Sequence, residues 1–296
     1  MAISEEQLNC WSHQGSIAQS SATYKTIKSI LETELAFCGI KNFEVFLQGS
    51  YGNDTNIYAE SDVDIIIKLD DSFYPNLDQL SEHEKTAYGV WFRSVPYTYV
   101  DFKNIVLGIL TKKYGEYLLK GDKAITIMPN GNLRKVDVIA AFQSRHYHRF
   151  CNITDQSYLE GICFYDKDDQ LIVNYPKHHS NNLTKKNQMT DGRFKPIVRI
   201  FKNLHKKLIN TQMLEKDTAT SYFLEGMLYN VPPAHFKGKD QDCVMNILNW
   251  IQSTNRSEFV CANEQYYLFS NSSPAIWQEI KCEAFLSAAI RFWNEC

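Results

Sequence analysis

Asp62 and Asp64 stand one residue apart in Ser61-Asp62-Val63-Asp64-Ile65-Ile66-Ile67. On an extended strand residues i and i+2 share a face, so the two carboxylates project together while Val63, Ile65 and Ile67 face a core. Carboxylates held side by side repel unless a cation lies between them, and hard divalent ions, Mg²⁺ or Mn²⁺, suit an all-oxygen donor set. Phosphoryl chemistry with two metals about 3.5 to 4 Å apart needs a third carboxylate. Asp137 meets that need: in Arg134-Lys135-Val136-Asp137-Val138-Ile139 the two valines face inward and the aspartate points the other way. Upstream, in Gly49-Ser50, the glycine lets the backbone approach a phosphate, and the serine hydroxyl and neighbouring N–H groups can bind its oxygens.

Such side chains must be held by regular elements. Ile27, Ile30, Leu31 and Leu35 recur at helical spacing over residues 21–38, with Gly39 placed to end the helix. Residues 42–48 alternate with Phe43, Val45 and Leu47 on one side, as do residues 62–69 with Val63, Ile65, Ile67 and Leu69, which predicts two strands joined by a polar segment. Between the break at Pro96 and Gly121, the stretch 90–119 reads as mostly helical. The pair Asn130-Gly131, between 124–128 and 133–139, is a hairpin signal, and a second hairpin is expected around Asp166 to Asp169. From about residue 195 the period becomes 3.6: Ile197, Ile200, Phe201, Leu204 and Leu208 form an apolar stripe, with Pro196 suited to a first helical turn. Segments 220–231, 242–254 and 274–294 also read as helices, and Trp250, Phe259, Tyr266, Tyr267, Phe269, Trp277, Phe285, Phe292 and Trp293 read as helical core. The expected fold is therefore α+β, with a catalytic core over 1–194 and a helical lobe over 195–296.

The chain of 296 residues is 44% apolar and 22% charged, which excludes disorder and fibre. Its net charge of −3 argues against wrapping long nucleic acid, which relies on surplus Lys and Arg. That charge is uneven, for residues 177–207 hold nine Lys or Arg and one acid, a local +8 against −11 elsewhere. Within this tract Arg199, Lys202 and Lys206 predict a basic helix face suited to triphosphates. No basic and apolar leader and no membrane-length apolar run is present, so a soluble, cytoplasmic chain is expected. Eight scattered cysteines without a Cys-x-x-Cys pair read as buried reduced thiols. His146 with His148, and His178 with His179, lack a third ligand in sequence and read as surface or rim residues. No P-loop run exists.

A Gly-Ser pair, an Asp-x-Asp thirteen residues after the glycine and a later strand aspartate together make the signature of the polymerase-beta-like nucleotidyltransferases. More closely, the run from Gly49-Ser50-Tyr51 to Asp64 resembles the bacterial CD-NTases, the cGAS/DncV-like, SMODS-type nucleotidyltransferases of CBASS anti-phage systems. Two further blocks resemble that family: Tyr175-Pro176-Lys177-His178-His179 through Asn203-Leu204, and Thr220-Ser221-Tyr222-Phe223-Leu224-Glu225. The resemblance implies a twisted mixed sheet bearing the aspartates plus a helical C-terminal lobe. It implies that Asp62, Asp64 and Asp137 bind two Mg²⁺ (or Mn²⁺) ions and that Gly49 and Ser50 hold a donor triphosphate. Lys202 and Ser221 would reach its β and γ phosphates, and Tyr222 would stack on its base. Asn53 and Asp54 depart from the small or basic residues of many relatives.

The implied activity joins ATP and a second nucleoside triphosphate into a cyclic oligonucleotide, a cyclic dinucleotide first, that activates a downstream effector. A monomer independent of membrane and long nucleic acid is expected. A nucleotidyltransferase making linear products or modifying tRNA or a small molecule, and a non-catalytic nucleotide-sensing scaffold, remain as alternatives. Base choice, linkage and ring size are not fixed by these residues.

Overall fold

The computed structural model describes residues 3–15, 17–57, 62–92, 96–269 and 277–295. The helices are α1 (Glu5–Ser12), α2 (Ala18–Phe37), the single turn α3 (Gly49–Gly52), α4 (Glu82–Trp91), α5 (Tyr99–Tyr114), α6 (Pro176–Met189), α7 (Phe194–Asn210), α8 (Ser221–Tyr229), α9 (Asp240–Ser253) and α10 (Glu279–Glu295). The strands are β1 (Phe43–Gln48), β2 (Val63–Asn76), β3 (Leu118–Lys120), β4 (Ile125–Ile127), β5 (Val136–Asn152), β6 (Asp155–Tyr165) and β7 (Leu171–Asn174). Part of the linker ahead of Asp62, the start expected at 274 for the last helix, and Cys296 lie outside the described residues.

Two compact units share the chain: Ile17–Gln48 with Asp62–Pro176, and Met1–Ser16 with Gly49–Ser61 and Lys177–Cys296. The first is built on a mixed sheet. β5 is its hub, parallel to β2 along one edge and antiparallel to β4 and then β6 along the other. β1 flanks β2, β3 flanks β4 and β7 flanks β6, all antiparallel. Val63, Ile65, Ile66, Ile67, Val136 and Val138 are fully buried. Ser81 and Thr98 start α4 and α5 with reciprocal capping boxes, satisfying N–H groups that a helix leaves open.

In the second unit, α7 is apolar enough to be the centre of a helical core. Ile197, Ile200, Phe201, Leu204 and Leu208 pack with Leu183 of α6, Leu224 and Leu228 of α8, Ile247 of α9 and Phe285 of α10. Ile3 and Leu8, before and within α1, join the same core.

Both expected hairpins form, the first with Gly131 at φ +58° between β4 and β5, the second joining β6 to β7. Other expectations differ. Residues 118–120 are a strand, because Leu118 to Lys120 pair with β4 rather than extend a helix. The helical unit takes in Lys177–Cys296 together with Met1–Ser16 and Gly49–Ser61, since periodicity marks where helices begin and burial decides what they pack on. The late aromatics are not all helical core, since Phe259 and Tyr266 to Phe269 lie between α9 and α10 and Tyr267 is 63% exposed. Cysteines 163, 243, 261 and 282 are buried as expected, but 10, 38 and 151 are exposed.

Candidate active site

The carboxylates are placed by register. Asp64 is the second residue of β2 and Asp137 the second of β5, and parallel pairing sets them directly beside each other, flanked by Val63 beside Val136 and Ile65 beside Val138. The buried valines and isoleucine take one face, so pleating turns both aspartates to the other. Asp62 immediately precedes β2. The three carboxylates are only half-buried, which leaves them accessible to a ligand.

Two neighbours hold them. Thr126 of β4 donates its hydroxyl to Asp137 Oδ1 at 2.5 Å. Lys135 Nζ donates to Asp62 and lies 3.7 Å from Asp137 Oδ2. The bond to Asp62, with the charges of Asp137 and Asp64, raises the Lys135 pKa. An ammonium group thus occupies the position of a cation among the aspartates, so the donor set attracts positive charge as a metal site must. Among the described residues no three carboxylate, imidazole or thiol groups close around one point; Asp62 is turned onto Lys135 instead. The oxygen chemistry and the stand-in cation fit hard divalent ions. Sequence reasoning passed over Lys135 and Thr126, although a lysine two residues before a strand aspartate was visible in the pattern.

In the helical unit, Gly49 adopts φ +65°, the left-handed region where glycine carries no Cβ penalty. Its carbonyl accepts from Asn53 N at 3.0 Å and the Ser50 carbonyl from Thr55 N at 2.9 Å, so the chain folds tightly past the Gly-Ser pair. Lys202 of α7 and Ser221 at the start of α8 line one cavity of about 410 Å³, with His205, Lys206 and Lys216 as further cationic or ionisable lining. Lys202 is 6% exposed and donates to the Thr55 carbonyl at 2.8 Å.

Tyr222 lies under the His179 ring, stacked at 5.0 Å between centroids and 21° between planes, and its hydroxyl accepts from Asn263 at 3.2 Å. Burial pushes the Tyr222 hydroxyl pKa up. His179 was expected at the surface, but it is 4% exposed and bonded to Glu225 at 2.8 Å. Asn53 and Asp54, the departures from the family pattern, are used within this unit: Asn53 donates to Glu225 at 3.1 Å and Asp54 accepts from Lys195 at 2.9 Å.

The basic tract is not one open face. Lys186, Lys195 and Lys202 are buried, Arg193 pairs with Asp240, and Arg199 donates to the carbonyls of Ser12 and Asp54. Helical spacing shows which residues share a side, not whether that side meets solvent.

Comparison with known proteins extends over the whole chain. Residues 181–294 match the cGAS/DncV-like nucleotidyltransferase C-terminal helical domain. The chain is 35% identical to the cyclic nucleotide synthase CdnE01 of Staphylococcus haemolyticus, covering all of both chains. It is 37% identical to the cyclic UMP-AMP synthase of Rhodothermus marinus, covering 99% of each. The solved structure of the Rhodothermus marinus CdnE c-UMP-AMP synthase with Apcpp and Upnpp superposes with a TM-score of 0.88 at 36% identity, over 99% of this chain and 97% of that one. The Elizabethkingia meningoseptica CdnE cyclic dinucleotide synthase with GTP and Apcpp follows at TM-score 0.79 and 28% identity, over 98% of each. A mixed sheet carrying aligned aspartates, joined in sequence to such a helical domain, makes this enzyme a nucleotidyltransferase. The chain belongs to the cGAS/DncV-like family of cyclic nucleotide synthases, the CD-NTases.

Proposed function

We propose that this enzyme condenses two nucleoside triphosphates, ATP among them, into a cyclic dinucleotide. The observation that carries the reading is the register of Asp64 beside Asp137 on parallel strands, in a chain 37% identical to a cyclic UMP-AMP synthase. A ribose hydroxyl of one nucleotide attacks the α-phosphorus of the other; the bond to the β-phosphate oxygen breaks and pyrophosphate leaves. The same step on the linear intermediate closes the ring.

Asp62, Asp64 and Asp137 would hold two Mg²⁺ ions, which when bound neutralise phosphate charge and make the hydroxyl more acidic. Thr126 keeps the Asp137 carboxylate oriented, and Lys135 balances the aspartates' charge. Gly49 and Ser50 bind the donor phosphates through backbone N–H and hydroxyl. Lys202 and Ser221 take the β and γ phosphates, whose charge grows as pyrophosphate departs. Tyr222 offers a ring to the donor base.

Related proteins are named for UMP-AMP, dipurine and dipyrimidine products, so the base pair is the quantity to measure. As a second messenger of anti-phage defence, the product would act on a cyclic-nucleotide-activated effector. Incubation with all four NTPs and Mg²⁺, phosphatase treatment and mass spectrometry test the reading. A phosphatase-resistant species with the mass of a cyclic dinucleotide is expected; linear or transferred products alone would overturn it.

A further inference from the structure

Glu225 stands in the middle of the apolar run Phe223-Leu224-Glu225-Gly226-Met227-Leu228 and is 2% exposed. A carboxylate that deep is retained only if its lone pairs are met. Its Oε2 accepts from His179 Nε2 at 2.8 Å and Asn53 Nδ2 at 3.1 Å. Its Oε1 accepts from Thr55 Oγ1 at 2.5 Å and lies 3.9 Å from Lys202 Nζ. Burial alone would push the Glu225 pKa up, but the His179 bond, the Lys202 charge and the Thr55 bond outweigh it and hold the group ionised.

Each donor belongs to a segment with a part in the donor site proposed above. Asn53 and Thr55 follow Gly49-Ser50 in the same tight fold, Lys202 is the phosphate-reading lysine, and His179 covers a face of Tyr222. We infer that Glu225 is a positioning residue for the donor nucleotide, one buried anion that fixes the place of Lys202 and the seat of Tyr222 together. This rests on the reading of Lys202 and Tyr222 as donor-site residues.

The test measures binding of Apcpp, the α,β-methylene analogue of ATP, by calorimetry on full-length wild type, Glu225→Gln, Glu225→Asp, His179→Phe and Lys202→Ala. Circular dichroism monitors folding in each. Lys202→Ala should weaken binding by about tenfold or more. Glu225→Gln, which removes the anion that His179, Asn53, Thr55 and Lys202 share, should approach that loss, whereas Glu225→Asp, which keeps the anion, should hold most of the wild-type affinity. His179→Phe, which keeps a ring on Tyr222 but gives up the bond to Glu225, should weaken binding by less than Lys202→Ala does. If Glu225→Gln fails to fold, His179→Phe decides: binding equal to wild type overturns the proposal. A folded Glu225→Gln with the wild-type affinity overturns it as well, while Lys202→Ala stays weak. A Lys202→Ala that binds like wild type overturns the donor-site reading itself, and the positioning role with it.

Discussion

At the scale of single residues, the aligned aspartates make the sharpest prediction. Asp64→Asn or Asp137→Asn keeps shape and removes one charge, so the fold should survive with an unchanged melting curve while kcat falls by roughly 10³-fold or more. Chelation with EDTA should abolish product formation and Mg²⁺ restore it. Activity of either variant within a few-fold of wild type would sink the metal-site reading. Lys186 makes an independent prediction about stability. Below about pH 8 it is charged in both states and folding bears the cost of burying that charge; as pH rises from about 8 towards 10.5 the folded chain loses the proton first and the cost is relieved. Lys186→Met should therefore be more stable than wild type at pH 7, by on the order of 1–2 kcal/mol, with the gap shrinking by pH 9.5. Urea titrations at the two pH values read it directly, and a gap independent of pH would contradict the assignment. Glu225 was visible in sequence as a charge inside an apolar run. Its role was not, because its partners come from three segments distant along the chain.

Among the elements, β4 is three residues long, yet it carries a hydroxyl that donates to Asp137. The hairpin at Asn130-Gly131 sets the register that brings Thr126 opposite Asp137. Thr126→Val preserves the strand and deletes only the donor. It should lower kcat by about tenfold with little change in KM for NTPs, since a lost hydrogen bond to a charged group is worth about 1.5–3 kcal/mol. Steady-state kinetics check this, and an unchanged kcat would make Thr126 a packing residue. The period-2 strands around Asp62 and Asp137 and the helical stripe of α7 were legible because one face of each is apolar. What sequence could not show was that β2 and β5 pair in parallel, and that β5 runs on to Asn152 to pair with β6. Strand pairing is a non-local choice that no local period encodes. The helix α6 was missed for a related reason: its largely polar sequence, Pro176 to Met189, has buried residues at His179, Asn182, Leu183 and Lys186, a helical side that hydrophobicity alone does not mark.

For the whole molecule, the net charge of −3 takes on a different meaning once the basic tract is followed through the structure. Nine Lys or Arg over residues 177–207 suggested an exposed cationic surface. Most of that charge is instead committed internally: Lys195 to Asp54, Arg193 to Asp240, Lys202 toward Glu225, Arg199 to backbone carbonyls, and Lys186 to the Val231 carbonyl. Lys177, Lys185, Lys206 and Lys207 are exposed in the tract, while the rest of the chain carries −11. A long polyanion gains affinity by releasing counterions along an extended cationic track. Here it would meet few exposed cations and a surplus of repelling carboxylates, whereas a single triphosphate needs only a few donors, such as those proposed at Lys202 and Ser221. Product formation should therefore proceed in nuclease-treated protein without added nucleic acid, and duplex DNA or tRNA should not stimulate it. Duplex affinity at physiological salt should be no tighter than the ~10⁻⁴ to 10⁻⁶ M typical of non-specific contacts. Stimulation by a long duplex, or nanomolar affinity for one, would show that this charge distribution had been misread and that exposed cations outside residues 177–207 carry the binding.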